Sequence, residues 1–148
     1  MEAQTNTFSP QKVEAFLGRV VSDFGAAFGV TLAYIGDKLG LYKAMAFAGP
    51  LSSEEVAERS GTNERYVREW LINQAAGGYV EYDPDSAKYS LPDEHAVSLT
   101  DENAPFHVAG GFQVVNGMIK ADERILAKIA DPALREALKA FRIRCYQE

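Results

Sequence analysis

Few side chains in this sequence have the types and spacing that metal binding or catalysis requires. The two histidines, His95 and His107, are twelve residues apart, whereas a zinc site on one helix face uses ligands four residues apart. The single cysteine, Cys145, excludes an intramolecular disulfide and a multi-cysteine metal site. No serine, histidine and aspartate have the spacing of a nucleophilic triad. We therefore expect no catalytic residue and no metal site on this chain.

Paired acids are the other residues that could do acid–base chemistry. Glu54-Glu55 and Asp122-Glu123 both fall where the first turn of a helix is expected. Carboxylates there are stabilised by the helix macrodipole. This explains both pairs without a catalytic role.

The elements that would position any site centre on residues 51–91. A helix is predicted to begin at Ser52 or Ser53, because Glu55 stands three residues after Ser52, as in a capping box. Gly61 should end it, since glycine adopts the left-handed conformation of a C-terminal cap. A second helix, capped by Thr62 or Asn63, should carry an apolar stripe up to Gly77-Gly78.

A hairpin is predicted after the second helix. Residues 79–82 and 88–91 are β-prone, and Asp83-Pro84-Asp85-Ser86 between them favours a turn. Helix, turn, helix and hairpin together predict a mainly α fold: a winged helix-turn-helix with a small two-stranded β wing and additional N- and C-terminal helices.

The N-terminal region should supply a helix with an unusually apolar face. Residues 1–9 are expected to be disordered or frayed, and residues 10–148 to form a single winged-helix domain with flanking dimerisation helices. Ser9-Pro10 suits a helix start. Within residues 11–29, apolar side chains recur at helical spacing. We interpret this stripe as the interface of a homodimer, the alternative being packing on its own domain; its proposed contacts are Phe16, Val20, Phe24 and Phe28.

A further helix is expected within residues 30–50, bent or restarted near Gly36 or Gly40. After the wing, Asp93 should cap a short helix through Leu99. Residues 106–130 should form one long or two shorter helices, and residues 133–146 a last helix. Aromatic and apolar side chains could line a pocket for a small apolar ligand, the alternative being that they fill the core; the candidates are Tyr34, Phe112 and Met118.

Charge opposes the DNA-binding function that a winged helix invites. Residues 51–94 contain ten acids and four bases, a net charge of −6, whereas DNA affinity depends on basic side chains that neutralise phosphates. Arg65 and Arg68 are the candidate DNA contacts. Because Glu64 and Glu69 stand beside them, ion pairs within the protein are the favoured interpretation.

Composition predicts a globular protein, with 47% apolar and 24% charged residues. We expect no run that spans a bilayer, no membrane partner, no secretory signal and a cytoplasmic location.

Two stretches resemble a known family: IGDKLGLYKAM at residues 35–45 and the segment from Leu51 to Ala96, most specifically Glu64–Leu71 followed by Ala75–Val80. They are similar to the N-terminal winged-helix domain of bacterial class I S-adenosylmethionine-dependent methyltransferases. The similarity continues through AGGFQVVNGMIKADERIL and covers roughly residues 10–128. It implies a domain that pairs two subunits and roofs the active site of a Rossmann-like catalytic domain.

The sequence departs from that family where the cofactor domain would follow. A strand with a glycine-rich turn and an acidic residue for the ribose is missing, and the last helix differs. We therefore expect a dimerisation and substrate-lid module that binds no cofactor on this chain and is inactive alone, with S-adenosylmethionine belonging to the full-length family. The alternative is a small winged-helix transcriptional regulator that binds DNA or a small apolar ligand.

Overall fold

A computed structural model of the chain describes residues 8–121, 125 and 126. The chain divides into two compact units at the Phe112–Gln113 bond. The described helices and strands are α1 (Pro10–Lys38), α2 (Leu41–Met45), α3 (Ser53–Ser60), α4 (Glu64–Ala76), β1 (Glu81–Asp83), β2 (Lys88–Ser90), α5 (Asp93–Thr100) and α6 (Ala109–Lys120). This mainly helical arrangement confirms the predicted winged helix.

Helix α1 is one continuous helix of 29 residues, with Pro10 in its first turn. The prediction of separate helices over residues 11–29 and 30–50 was therefore wrong. The helix ends at Leu39 and Gly40, where Gly40 has a φ of +70° and α2 begins directly afterwards. The restart proposed at Gly40 is confirmed, whereas Gly36 lies inside α1 and is buried.

The core of the first unit lies where the end of α1 meets α2, α3, α4 and the wing. Tyr42 and Gln74 form its buried polar pair, in which the Tyr42 hydroxyl donates to the Gln74 side-chain oxygen. Burial raises the pKa of the Tyr42 hydroxyl well above its usual value. The buried apolar side chains around them include Ala33, Leu41, Met45, Val56, Val67, Trp70, Leu71, Val80, Leu91 and Leu99.

The caps of α3 and α4 follow the sequence prediction. Ser52 and Glu55 form both hydrogen bonds of a capping box, and Gly61 ends α3 in the left-handed conformation, with a φ of +65°. Asn63 rather than Thr62 caps α4, its side chain accepting a hydrogen bond from the Arg65 backbone N–H.

The wing is an antiparallel hairpin in which Tyr82 lies opposite Tyr89. Leu51, just before α3, extends the wing by a two-way backbone bridge to Tyr89, with both N···O distances 2.8 Å. The hairpin is thereby fixed to the start of the helix-turn-helix.

Helix α5 differs from prediction at its start. Asp93 is its first helical residue and Pro92 occupies the cap position without a side-chain hydrogen bond. Asp93 therefore acts through the helix dipole rather than as a cap.

Helix α6 crosses the division between the units. Ala109 and Phe112 on its first turn are buried, and beyond them Val114, Met118 and Ile119 are exposed. The single domain predicted for residues 10–148 stays a prediction beyond Phe112, and the predicted last helix and Cys145 lie outside the described residues.

The expectation that no stretch of the chain is long and apolar enough to span a bilayer does not hold for α1. Helix α1 is long enough and apolar enough to cross a bilayer, by length and composition alone. Core helices of soluble proteins and signal sequences have the same property. This length was not expected from the sequence, because residues 11–29 and 30–50 were predicted as separate helices.

Candidate functional site

The most conspicuous surface of the first unit is the face of α1. From Pro10 to Phe28 the residues of this helix are exposed, except Val20, which is half-buried. Phe16, Phe24 and Phe28 leave 63%, 62% and 70% of their surface exposed. The four residues proposed as dimer contacts thus form an apolar face that the described chain leaves largely uncovered.

Such a face is unfavourable in water. Burying a phenylalanine, leucine or valine side chain stabilises a protein by roughly 1.5–3 kcal/mol relative to leaving it exposed. Contiguous apolar patches of this kind mark interaction sites in soluble proteins. This face is therefore suited to non-covalent association with another apolar surface.

A groove of about 560 Å³ lies beside the end of α1. Its walls come from the last turns of α1 and from α4, and its volume falls in the range of sites for small apolar ligands or inserted side chains. The lining is mainly apolar, with Thr62, Asn63 and Glu69 as its polar and charged members; the other residues are Leu32, Ile35, Leu39, Leu41, Tyr66, Val67 and Trp70.

Trp70 fixes the shape of this groove. Its indole N–H donates to the backbone oxygen of Leu32 at 2.8 Å, and its ring meets Tyr42 edge-on at 5.0 Å between centroids. A Cβ added to Gly36 would come within 2.3 Å of the Trp70 ring. Glycine at position 36 therefore allows α1 and α4 to approach closely.

The candidate ligand pocket of Tyr34, Phe112 and Met118 is not the groove. Tyr34 is half-buried against the core, with the Lys38 ammonium 5.5 Å from its ring centroid. Phe112 is buried and its ring lies 6.1 Å from that of Tyr79. Met118 is exposed in the second unit. The sequence could not reveal the groove because its walls come from residues far apart in the chain.

The arginines of α4 are engaged in ion pairs on their own helix. Arg68 donates twice to the carboxylate of Glu64, at 2.9 and 2.8 Å, and Arg65 lies 3.8 Å from Glu69. Glu64 also accepts a hydrogen bond from the buried Ser53 hydroxyl at 2.7 Å. These bonds hold the pKa of the Glu64 carboxyl below its usual value, the Ser53 contribution being the largest.

The histidines remain apart. His95 Nδ1 lies 2.9 Å from the backbone oxygen of Tyr79, which links α5 to the start of the wing. Nδ1 of His107, in the loop before α6, is buried and has no hydrogen-bond partner among the described residues. Within that same part of the chain, acids, histidines and cysteines form no cluster that could hold a metal ion.

The described residues do not fit S-adenosylmethionine. The cofactor site implied by the resemblance needs a strand followed by a glycine-rich turn. The strands in the described part of the chain are the two of the wing, and Gly110, Gly111 and Gly117 lie within α6. No step of a methyl transfer can be assigned to these residues.

Comparison with known proteins gives the fold a family context. The model of the Rv2258c-like winged HTH domain matches residues 26–101, half of the chain. No curated protein sequence matches significantly.

Solved structures with the same fold include three methyltransferases. The mitomycin 7-O-methyltransferase MmcR has 22% identity and a TM-score of 0.57, over 70% of this chain and 30% of that one. CalO1, a methyltransferase of calicheamicin biosynthesis in its SAH-bound form, has 16% identity and a TM-score of 0.60, over 86% and 36%. Human N-acetylserotonin methyltransferase in complex with SAM has 15% identity and a TM-score of 0.53, over 90% and 40%.

The TM-scores of 0.57, 0.60 and 0.53 establish a shared fold. The chain spans about a third of the length of these methyltransferases. The resemblance drawn from the sequence is thereby confirmed, as a winged helix like those of methyltransferases.

Proposed function

This chain belongs to the family of Rv2258c-like winged helix-turn-helix domains, and from that premise we propose that it is a dimerisation and substrate-lid module of a methyltransferase-like protein. The observation that carries the proposal is the exposed apolar face of α1. The winged-helix body anchors the last turns of this helix, so the free face projects in a fixed direction. A second copy would cover it.

The lid part of the proposal rests on the shared fold with methyltransferases. In the proposed assembly, the paired winged-helix domains roof a catalytic domain that holds S-adenosylmethionine and the methyl acceptor. This chain would contribute shape and apolar contacts, and the catalytic domain would contribute the cofactor site. The function is therefore structural, with no reacting atom held by the described residues.

Replacing Phe24 with aspartate tests the dimerisation part. Phe24 is largely exposed in a single chain, so Phe24→Asp should leave the fold of each subunit intact. In a dimer it would place an unpaired charge in an apolar seam, which costs several kcal/mol. We expect the mass measured by light scattering to fall from dimer to monomer while the helical circular dichroism signal is retained.

Ser22→Asp is the matched control. Ser22 is exposed on the same helix two residues away, on the opposite face, and it receives the same charge. This variant should keep the dimeric mass. Equal masses for wild type and both variants would contradict the proposed seam.

A DNA-binding regulator is the second candidate, because α4 is exposed at Arg65 and Arg68 as a recognition helix would be. Their ion pairs and the net charge of −6 over residues 51–94 weigh against it. We expect no salt-sensitive binding of duplex DNA in a gel-shift titration. A sequence-specific shift that Arg65→Ala/Arg68→Ala abolishes in a folded protein would favour the regulator.

A further inference from the structure

The apolar face of α1 continues into the groove. At about 100° per residue, Phe24, Phe28, Ile35 and Leu39 lie within roughly 60° of one another around the helix. Ile35 and Leu39 also line the groove. The exposed face and the groove are therefore one continuous apolar strip.

The strip contains no charge along most of its length. Eight residues between positions 13 and 35 lie within roughly 100° of one another on the helix, and none is charged: Val13, Leu17, Val20, Val21, Phe24, Phe28, Thr31 and Ile35. A charge-free face of this length accommodates a second helix along it.

Its residues are arranged symmetrically about Ala26. Phe24 and Phe28 each lie two residues from Ala26, and Leu17 and Ile35 each lie nine. Val20 and Leu32 are also equidistant from Ala26, at six residues, as are Val13 and Leu39, at thirteen. An antiparallel pairing of two copies about Ala26 therefore places apolar side chains opposite apolar side chains at these positions, and Thr31, whose hydroxyl donates to the Ala27 backbone oxygen of its own helix, opposite Val21.

We propose that the groove between α1 and α4 receives the N-terminal half of α1 from a second copy, in an antiparallel register centred on Ala26. Val13 and Leu17 of each copy then enter the groove of the other, opposite Leu39 and Ile35. This inference rests on the proposed dimerisation and specifies its register and the occupant of the groove.

The available area suits a stable dimer. Eight apolar side chains on the strip and its edge are 40–70% exposed, namely Val13, Phe16, Leu17, Val21, Phe24, Phe28, Ile35 and Leu39. A fully buried aromatic side chain contributes roughly 150–250 Å², so each of the three partly exposed phenylalanines offers on the order of 100–150 Å² and each of the five smaller aliphatic side chains less. Together the eight offer on the order of 800 Å² per copy, about the area that a stable interface buries on each partner.

Cysteine cross-linking tests the register. In a Cys145→Ser background, Leu17→Cys and Ile35→Cys are made as separate proteins, mixed and oxidised. The proposed register brings the two cysteines together, so a covalent dimer should form in the mixture. In either protein alone the two equivalent positions would be about 27 Å apart along the helices, beyond the reach of a disulfide, so self-linked dimers should be rare.

Ser22→Cys, on the opposite face of α1, is the control and should link to neither protein. A dimeric mass without the Leu17–Ile35 product, or with self-linked Leu17→Cys, would overturn the register and leave the dimerisation standing. A monomeric mass would overturn both. Binding of monomers to lipid vesicles would instead assign the strip to a membrane surface.

Discussion

At the scale of single residues, the packing of Gly36 against Trp70 determines the groove. A hydrogen atom in place of a side chain lets the indole of Trp70 lie against α1 and donate to Leu32. The other glycines in the middle of α1, Gly25 and Gly29, have open space where a Cβ would stand. The same residue type thus has different roles along one helix.

Gly36→Ala should destabilise the protein. The new methyl group would lie 2.3 Å from the Trp70 ring, and the buried, hydrogen-bonded indole could move only by losing contacts. Overpacking of this kind costs roughly 1–3 kcal/mol, which thermal unfolding followed by circular dichroism would detect as a lower midpoint.

Gly29→Ala is the control for that experiment. Its Cβ would meet nothing within 4 Å, and alanine favours helix over glycine by about 1 kcal/mol. We expect an unchanged or higher midpoint. Equal destabilisation by both substitutions would show that Gly36 is not needed for close packing.

At the scale of helices and strands, Glu64 joins α3 to α4. It accepts a hydrogen bond from Ser53 at the start of α3 and pairs with Arg68 one turn along α4. Its carboxyl pKa lies below the usual value of 4.5. The turn of the helix-turn-helix is thus held by a charged group that acid can neutralise.

This arrangement predicts a pH dependence. Because the folded-state pKa of Glu64 is lowered, its contribution to stability is complete above its unfolded-state pKa and is lost as the pH falls through the folded-state pKa. Glu64→Gln should therefore reduce the fall in the free energy of unfolding below about pH 4.5, measured by urea denaturation.

Ser53→Ala is a second variant, which keeps the Glu64 carboxylate and removes the hydroxyl that donates to it. It should also reduce the loss of stability at acid pH, but by a smaller amount than Glu64→Gln. A pH profile of Glu64→Gln parallel to that of wild type would contradict the role assigned to this carboxylate.

Local signals were sufficient to predict α3, α4 and the wing. The capping box at Ser52, the left-handed Gly61 and the turn after Asp83 each act within a few residues, so the sequence alone specifies them.

The true length of α1 was missed because Gly25 and Gly29 resemble stop signals yet lie within one helix. The groove was missed because Ile35 and Tyr66, far apart in the sequence, come to line one groove only when Trp70 packs on Gly36.

At the scale of the whole molecule, the first unit combines a well-packed body with a helix that extends beyond it. The core around Tyr42, Leu71 and Val56 is almost fully buried, whereas the first two-thirds of α1 exposes large apolar side chains. Exposure of these apolar side chains to water is unfavourable, so the helix gains stability when another apolar surface covers them. In the proposed dimer, a second copy with the same strip would supply the missing surface.

The proposed dimer is best tested by the mass of the wild-type protein in solution, determined by sedimentation or light scattering over a range of concentrations. The proposed dimer predicts twice the chain mass of 16.2 kDa at micromolar concentration, falling toward one chain mass on dilution. A mass of 16.2 kDa at every concentration, for a folded protein, would contradict the proposed dimer.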